Sequence, residues 1–94
     1  MYDREIRVDI EKEVLMVLDT TLGLRGRGLA FLPETRLLGA LPEFDSMAIV
    51  NLVTGLEERF GMRVADEEIE GRLFATVGSV LAFVQHKVGL LPAR

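Results

Sequence analysis

Three stretches of this chain repeat their apolar residues at the spacing of an α-helix, and no alternation of period two is long enough for a sheet. In the first, Ile10, Val14, Val17, Leu18 and Leu22 recur at steps of 4, 3, 1 and 4, with Asp9, Glu11, Lys12, Glu13 and Asp19 largely on the other side. Gly23 is a suitable stop, so the spacing predicts a helix over about 7–22. In the second, Ile49, Leu52, Val53, Leu56 and Phe60 form the inward stripe; Ser46 stands in the N-cap region and Gly61 ends the run. In the third, Thr76 is placed to cap a helix whose face is Val77, Val80, Leu81, Val84 and Val88, with Pro92 beyond its end. Asp66-Glu67-Glu68-Ile69-Glu70 reads as a short acidic helical turn, capped by Asp66 and with its acids at the positive end of the helix dipole. The expected fold class is all-α: a small four-helix bundle of three main helices and one short one.

Residues 23–44 break this periodicity. Gly23, Gly26, Gly28, Pro33, Gly39 and Pro42 punctuate them, yet Leu29, Phe31, Leu32, Leu37, Leu38, Leu41 and Phe44 are too apolar for a flexible linker. A long connection of this kind is often held down by its own side chains. The expectation is a core-anchored loop with a short helical turn near 34–38. Within it, Arg25-Gly26-Arg27-Gly28 lacks the Lys-Ser/Thr of a phosphate-binding P-loop and any interleaved aromatics, so it reads as a solvated turn. Gly55 and Gly78 inside predicted helices each cost about 1 kcal/mol relative to alanine. Either a close neighbour or room for a bound cargo accounts for them.

Ninety-four residues with 49% apolar content suit one domain, 1–94, with a core over about 7–88. There is no cysteine, which excludes disulfides, thiolate metal sites and cysteine nucleophiles. His86 is the one histidine; near the end of the last helix it fits a surface role, and metal ligation or a serine–histidine couple is not supported. The opening residues are charged rather than apolar, and no apolar run approaches the ~20 residues that span a bilayer, so a soluble, cytoplasmic, monomeric protein is expected. The net charge is −4, and residues 43–70 hold eight acids against Arg59 and Arg63. That acidic half repels nucleic acid and attracts a basic protein surface. A helix-turn-helix DNA reader would also need a basic recognition helix, which is absent.

Asp45-Ser46-Met47 carries the chemistry. The first N–H groups of a helix have no partner within it, and the dipole places partial positive charge there, so a phosphate ester on Ser46 would be well received. The plain alternative is an N-cap serine worth about 1 kcal/mol. A nucleophilic role would need a base, and none is suggested: Asp45 is adjacent, but His86 is forty residues away.

The run from Asp45-Ser46-Met47 through Leu56-Glu57-Glu58-Arg59-Phe60-Gly61 resembles the second helix of acyl carrier proteins, which read Asp-Ser-Leu, an apolar stripe and Leu-Glu-Glu-x-Phe. Val64-Ala65-Asp66-Glu67-Glu68 is similar to the family's acidic third helix, and Thr76-Val77 to the opening of its last one; roughly residues 8–88 are covered. The resemblance implies a carrier and no enzyme. A phosphopantetheinyl transferase would move 4′-phosphopantetheine from coenzyme A onto Ser46, flanked by Asp45 and Met47, and its thiol would hold an acyl group as a thioester. The sulfur would thus be imported by a chain without cysteine.

The resemblance also implies that ligases, synthases or acyltransferases read Met47, Val50, Asn51, Thr54, Glu57 and Glu58. Leu56, Ile69, Phe74 and Val80 are candidates to line an acyl pocket; at helical spacing such residues are core by default, and the two readings are compatible if the core can open. Met47 replaces the family's leucine, a swap of nearly equal volume. Ala48 and Asn51 stand where carriers of fatty-acid synthesis often have outward acids, which points away from housekeeping lipid synthesis. Residues 35–47, with Glu57-Glu58-Arg59-Phe60-Gly61 and Phe74-Ala75-Thr76-Val77-Gly78-Ser79, look like stand-alone carriers associated with exosortase and exopolysaccharide clusters. An aminoacyl or peptidyl carrier, or an unmodified helical adaptor, are the alternative readings.

Overall fold

A computed structural model describes the backbone of residues 2–89 and the side chains of residues 10–89. The described chain is all-helical: α1 (Tyr2–Leu22), α2 (Ser46–Phe60) and α3 (Val77–Lys87), with single 3₁₀ turns at Arg27–Ala30, Asp66–Glu68 and Gly71–Phe74. Helix α1 starts well before residue 7, since residues 2–6 hold no glycine or proline that would stop the backbone there. Pro92 lies outside the described residues.

The helix ends follow local chemistry. Gly61 closes α2 in the left-handed region (φ 63°), its N–H donating to the Glu57 carbonyl. Thr76 and Ser79 cap α3 reciprocally: each hydroxyl oxygen accepts the other's backbone N–H at 3.1 Å. Two local expectations are corrected. Asp45, not Ser46, is the N-cap of α2, its Oδ1 accepting the Ala48 N–H at 2.9 Å. The acidic turn is 3₁₀ and begins after Ala65, so Asp66 does not cap it; the Glu68 carboxylate accepts the Ala65 N–H at 2.8 Å instead.

The core draws on all three helices and on the connections. Val14 and Leu18 from α1, Leu52 and Leu56 from α2, and Val77, Val80 and Val84 from α3 meet Leu24, Leu37, Phe44 and Phe74. Each such side chain stabilises the fold by about 1.5–3 kcal/mol through lost apolar surface. Ile49, Phe60, Leu81 and Val88 pack only partly against this cluster. Ala48 is buried in α2, so it does not face outward as the sequence comparison assumed.

The long connection is anchored, though by different means than expected. No helical turn forms near 34–38. Instead Arg36 pairs antiparallel with Thr76 in an isolated β-bridge. The N–H groups of Leu37 and Leu38 donate to the carbonyls of Ala75 and Phe74, and those of Val77 and Gly78 donate to Thr35 and Pro33. Extended backbone lets Leu37 enter the core while its N–H finds an acceptor. The helical turn lies earlier, at 27–30; Arg25, Gly26 and Arg27 form the exposed turn expected, but it is anchored. Asp19 Oδ1 accepts the N–H groups of Gly26 (2.8 Å) and Gly28 (2.9 Å), and Gly28 is buried against α1.

Both helical glycines mark close approach. A Cβ on Gly55 would lie 3.1 Å from Val17 Cγ1 on α1, and one on Gly78 would lie 3.0 Å from the Pro33 carbonyl oxygen.

Candidate functional site

Ser46 is the first residue of α2 and is exposed. With Asp45 capping the helix, the serine hydroxyl is not spent on that task. Among the described residues Ser46 Oγ has no hydrogen-bond partner, and the N–H groups of Ser46 and Met47 donate to no protein acceptor. An exposed hydroxyl therefore stands beside two open backbone donors at the positive end of a 15-residue helix.

The approach to Ser46 is fixed from below. Phe44 is 4% exposed, and its ring meets that of Phe74 at 5.8 Å between centroids and 54° between planes. Glu43 pairs with Arg27, Oε2 to Nη2 at 2.7 Å. That bond, followed by a backbone N–H, holds the Glu43 carboxyl below its ordinary range against the opposing effect of desolvation. Nothing local in the sequence signals this pair, whose members lie sixteen residues apart.

The outward face of α2 is only partly as expected. Met47 (64% exposed) and Val50 (57%) stand out as apolar groups in solvent, and Asn51, Thr54 and Glu58 are exposed beside them. Glu57 is turned to another task. Its Oε2 accepts the Val64 N–H at 2.8 Å, and its carbonyl accepts from Gly61 and Met62, so it fastens the end of α2 to the following segment. The four candidate pocket residues are brought together: Leu56, Phe74 and Val80 are buried in the core and Ile69 packs partly against it.

Around the acidic turn, the Ala65 N–H and then the Lys87 ammonium hold the Glu68 carboxyl below its ordinary range. Lys87 Nζ donates to both Glu68 oxygens, at 3.0 and 3.1 Å, tying the turn to the end of α3. His86 is exposed in the last turn of α3. Among the described residues no group of histidine and acidic side chains could hold a metal ion, and no helix is long and apolar enough to cross a membrane.

Comparison with known proteins places this geometry. No family model matches the chain. The solution NMR structure of a holo acyl carrier protein from Nitrosomonas europaea superposes with a TM-score of 0.78 and is 42% identical, covering 84% of this chain and 95% of that one. A curated acyl carrier protein from Wolinella succinogenes is 44% identical over 41 residues, 44% of this chain; the chain spans about half (51%) of that relative's length. With over two thirds of a 42%-identical carrier matched through the whole helical fold, the chain belongs to the acyl carrier protein family.

Proposed function

We propose that the chain is an acyl carrier domain modified at Ser46 with 4′-phosphopantetheine from coenzyme A. The observation that carries this reading is the free, exposed Ser46 hydroxyl at the start of α2, beside N–H donors that no protein group uses. These residues fit a phosphodiester. Asp45 keeps the helix start ordered while leaving the serine reachable, and the Ser46 and Met47 amides with the helix dipole favour an anion there. When attached, the group supplies the thiol that this cysteine-free chain lacks, and with it a thioester to the cargo. The protein itself catalyses nothing; it orients, shields and presents.

The partners of this reading are a phosphopantetheinyl transferase and the ligases, synthases or acyltransferases that load and unload the cargo. They would meet α2 at Met47, Val50, Asn51, Thr54 and Glu58, a face with one acid among five residues. Electrostatic complementarity governs encounter rate and partner choice more than affinity. The muted charge, with Met47 beside the serine, supports a specialised lipid or exopolysaccharide-related pathway in the cytoplasm. Leu56, Ile69, Phe74 and Val80 would make room for an acyl chain by opening the core, since they are closely packed.

The test is intact mass after co-expression with a broad-specificity phosphopantetheinyl transferase. A gain of one phosphopantetheine group in the wild type, absent in Ser46→Ala, is expected. A folded wild-type protein that gains nothing with several transferases would leave the unmodified adaptor as the better reading. Loading of the holo protein by fatty-acyl and aminoacyl ligases, read by mass, then separates acyl from aminoacyl cargo.

A further inference from the structure

The segment that delivers Ser46 is held by an ion pair with an unusual dependence on one partner. Arg27 is set in place by its own turn: Asp19 Oδ1 holds the amides on either side of it, at Gly26 and Gly28, and Arg27 Nε donates to the Leu24 carbonyl at 3.1 Å. Its Nη2 then reaches Glu43 Oε2 at 2.7 Å, two residues before the cap Asp45. The second oxygen, Glu43 Oε1, is buried and takes no hydrogen bond. The carboxylate is therefore kept in this orientation by Arg27. Without the guanidinium, a charged group with a buried, unpaired oxygen is better solvated by swinging outward.

Such a swing acts on Ser46 through a short lever. Phe44 is pinned in the core on one side of Glu43, and Leu41 and Pro42 lead in on the other. Reorientation of Glu43 would loosen the backbone that feeds Asp45 and its bond to the Ala48 N–H. We propose that Arg27 and Glu43 are positioning residues for modification of Ser46, forming a latch that holds the start of α2 in the conformation a phosphopantetheinyl transferase acts on. This rests on Ser46 being the attachment site. Arg27 is exposed and Glu43 partly so, with side-chain accessibilities of 62% and 32%, so the latch is modest in strength and weakened by salt.

The experiment is steady-state kinetics of phosphopantetheine transfer from coenzyme A onto the wild type, Arg27→Gln, Glu43→Gln and the charge-swapped double variant R27E/E43R. Rates are read by intact mass at a temperature where circular dichroism shows every protein folded. The expected result is a three- to fivefold lower kcat/KM in both single variants, since only the fraction of carrier in the competent conformation reacts, and recovery to within twofold of wild type in the double variant. Direct recognition of either side chain by the transferase also lowers kcat/KM but is not repaired by exchanging them. Equal kcat/KM in all four proteins, or no recovery in the swap, overturns the latch. Failure of the wild type itself to gain mass overturns the attachment reading instead, so the two failures are distinguishable.

Discussion

The Gly78 N–H donates to the Pro33 carbonyl oxygen at 2.7 Å, joining the long connection to the first turn of α3. This contact sets the distance between them, because Gly78 presents no side chain and the carbonyl occupies the space where one would begin. The donor is also one of the amides that a helix start leaves without an intrahelical partner. The loop thus satisfies the helix, and the helix fixes the loop.

Gly78→Ala is expected to destabilise the protein by about 1–2 kcal/mol, even though alanine is the better helix former by about 1 kcal/mol. The added methyl would meet backbone oxygen at 3.0 Å, which cannot rotate away. Gly55→Ala meets Val17 Cγ1 and Thr21 Oγ1, side-chain atoms that can shift, so its cost should stay below about 1 kcal/mol as the same propensity gain offsets it. Urea denaturation of the two variants checks the order; a Gly55→Ala protein less stable than Gly78→Ala would contradict it.

Asp19→Ala removes the acceptor of two backbone N–H groups, at Gly26 and Gly28. A loss of about 1–3 kcal/mol is expected, since a partly buried amide is left unpaired. Hydrogen exchange should show Gly28 deprotected with α3 amides unaffected at matched stability. Asp19→Asn, which keeps a carbonyl acceptor, should recover much of the loss.

Asp45→Ala should cost about 1 kcal/mol as a lost N-cap, and Asp45→Ser should restore most of it. Ser46→Ala should leave the unfolding midpoint nearly unchanged, because Ser46 makes no side-chain hydrogen bond in the described structure and is exposed. Thermal unfolding of the three variants discriminates the capping residue from the modified one.

Glu43 and Glu68 both have carboxyls held below the ordinary range, by Arg27 and by the Ala65 amide respectively. The unfolded chain therefore binds more protons in acid, and stability must rise with pH there. Their contribution is complete above the ordinary glutamate value of about 4.3 and is lost as pH falls through the depressed folded values. Melting temperatures followed from neutral pH down to acid should fall less steeply in Glu68→Gln than in the wild type. An identical slope would count against the Glu68 contribution.

Leu52→Ala should cost about 2–5 kcal/mol, whereas Val50→Ser, in the same turn but on the other side of α2 and 57% exposed, should change stability by less than about 0.5 kcal/mol. If partners read that face, Val50→Ser should instead slow loading by them, measured by intact mass under single-turnover conditions.

Much of the scaffold was legible because it is local. The stripes Val14/Leu18, Leu52/Leu56 and Val80/Val84 face the core as their periodicity predicts, and Gly23, Gly61 and Thr76 end or begin helices as glycine and threonine should. Ser46 at a helix start could be read from Asp-Ser followed by the α2 stripe. The errors have one source. A single sequence does not say which of two neighbouring groups takes a contact: Ser46 lies in the N-cap region but Asp45 makes the cap, and Ala48, at a position where related carriers often have outward acids, is buried. Glu57, expected on the partner-reading face, is half-exposed, and one of its carboxylate oxygens also accepts the Val64 amide, a contact that no local pattern signals.

The sequence by itself determined the all-α class, the three helices, the absence of any cysteine, and the serine at the head of α2. These depend on spacings of a few residues, where backbone geometry leaves little choice. The tertiary structure decided how residues 23–45 run: the Arg36–Thr76 bridge, the Asp19 anchor, the Gly78–Pro33 contact and the Arg27–Glu43 pair. Those interactions join groups from seven to more than forty residues apart. They form only when core burial of Leu24, Leu37 and Phe44 has brought their partners within reach, and no local pattern encodes that distance.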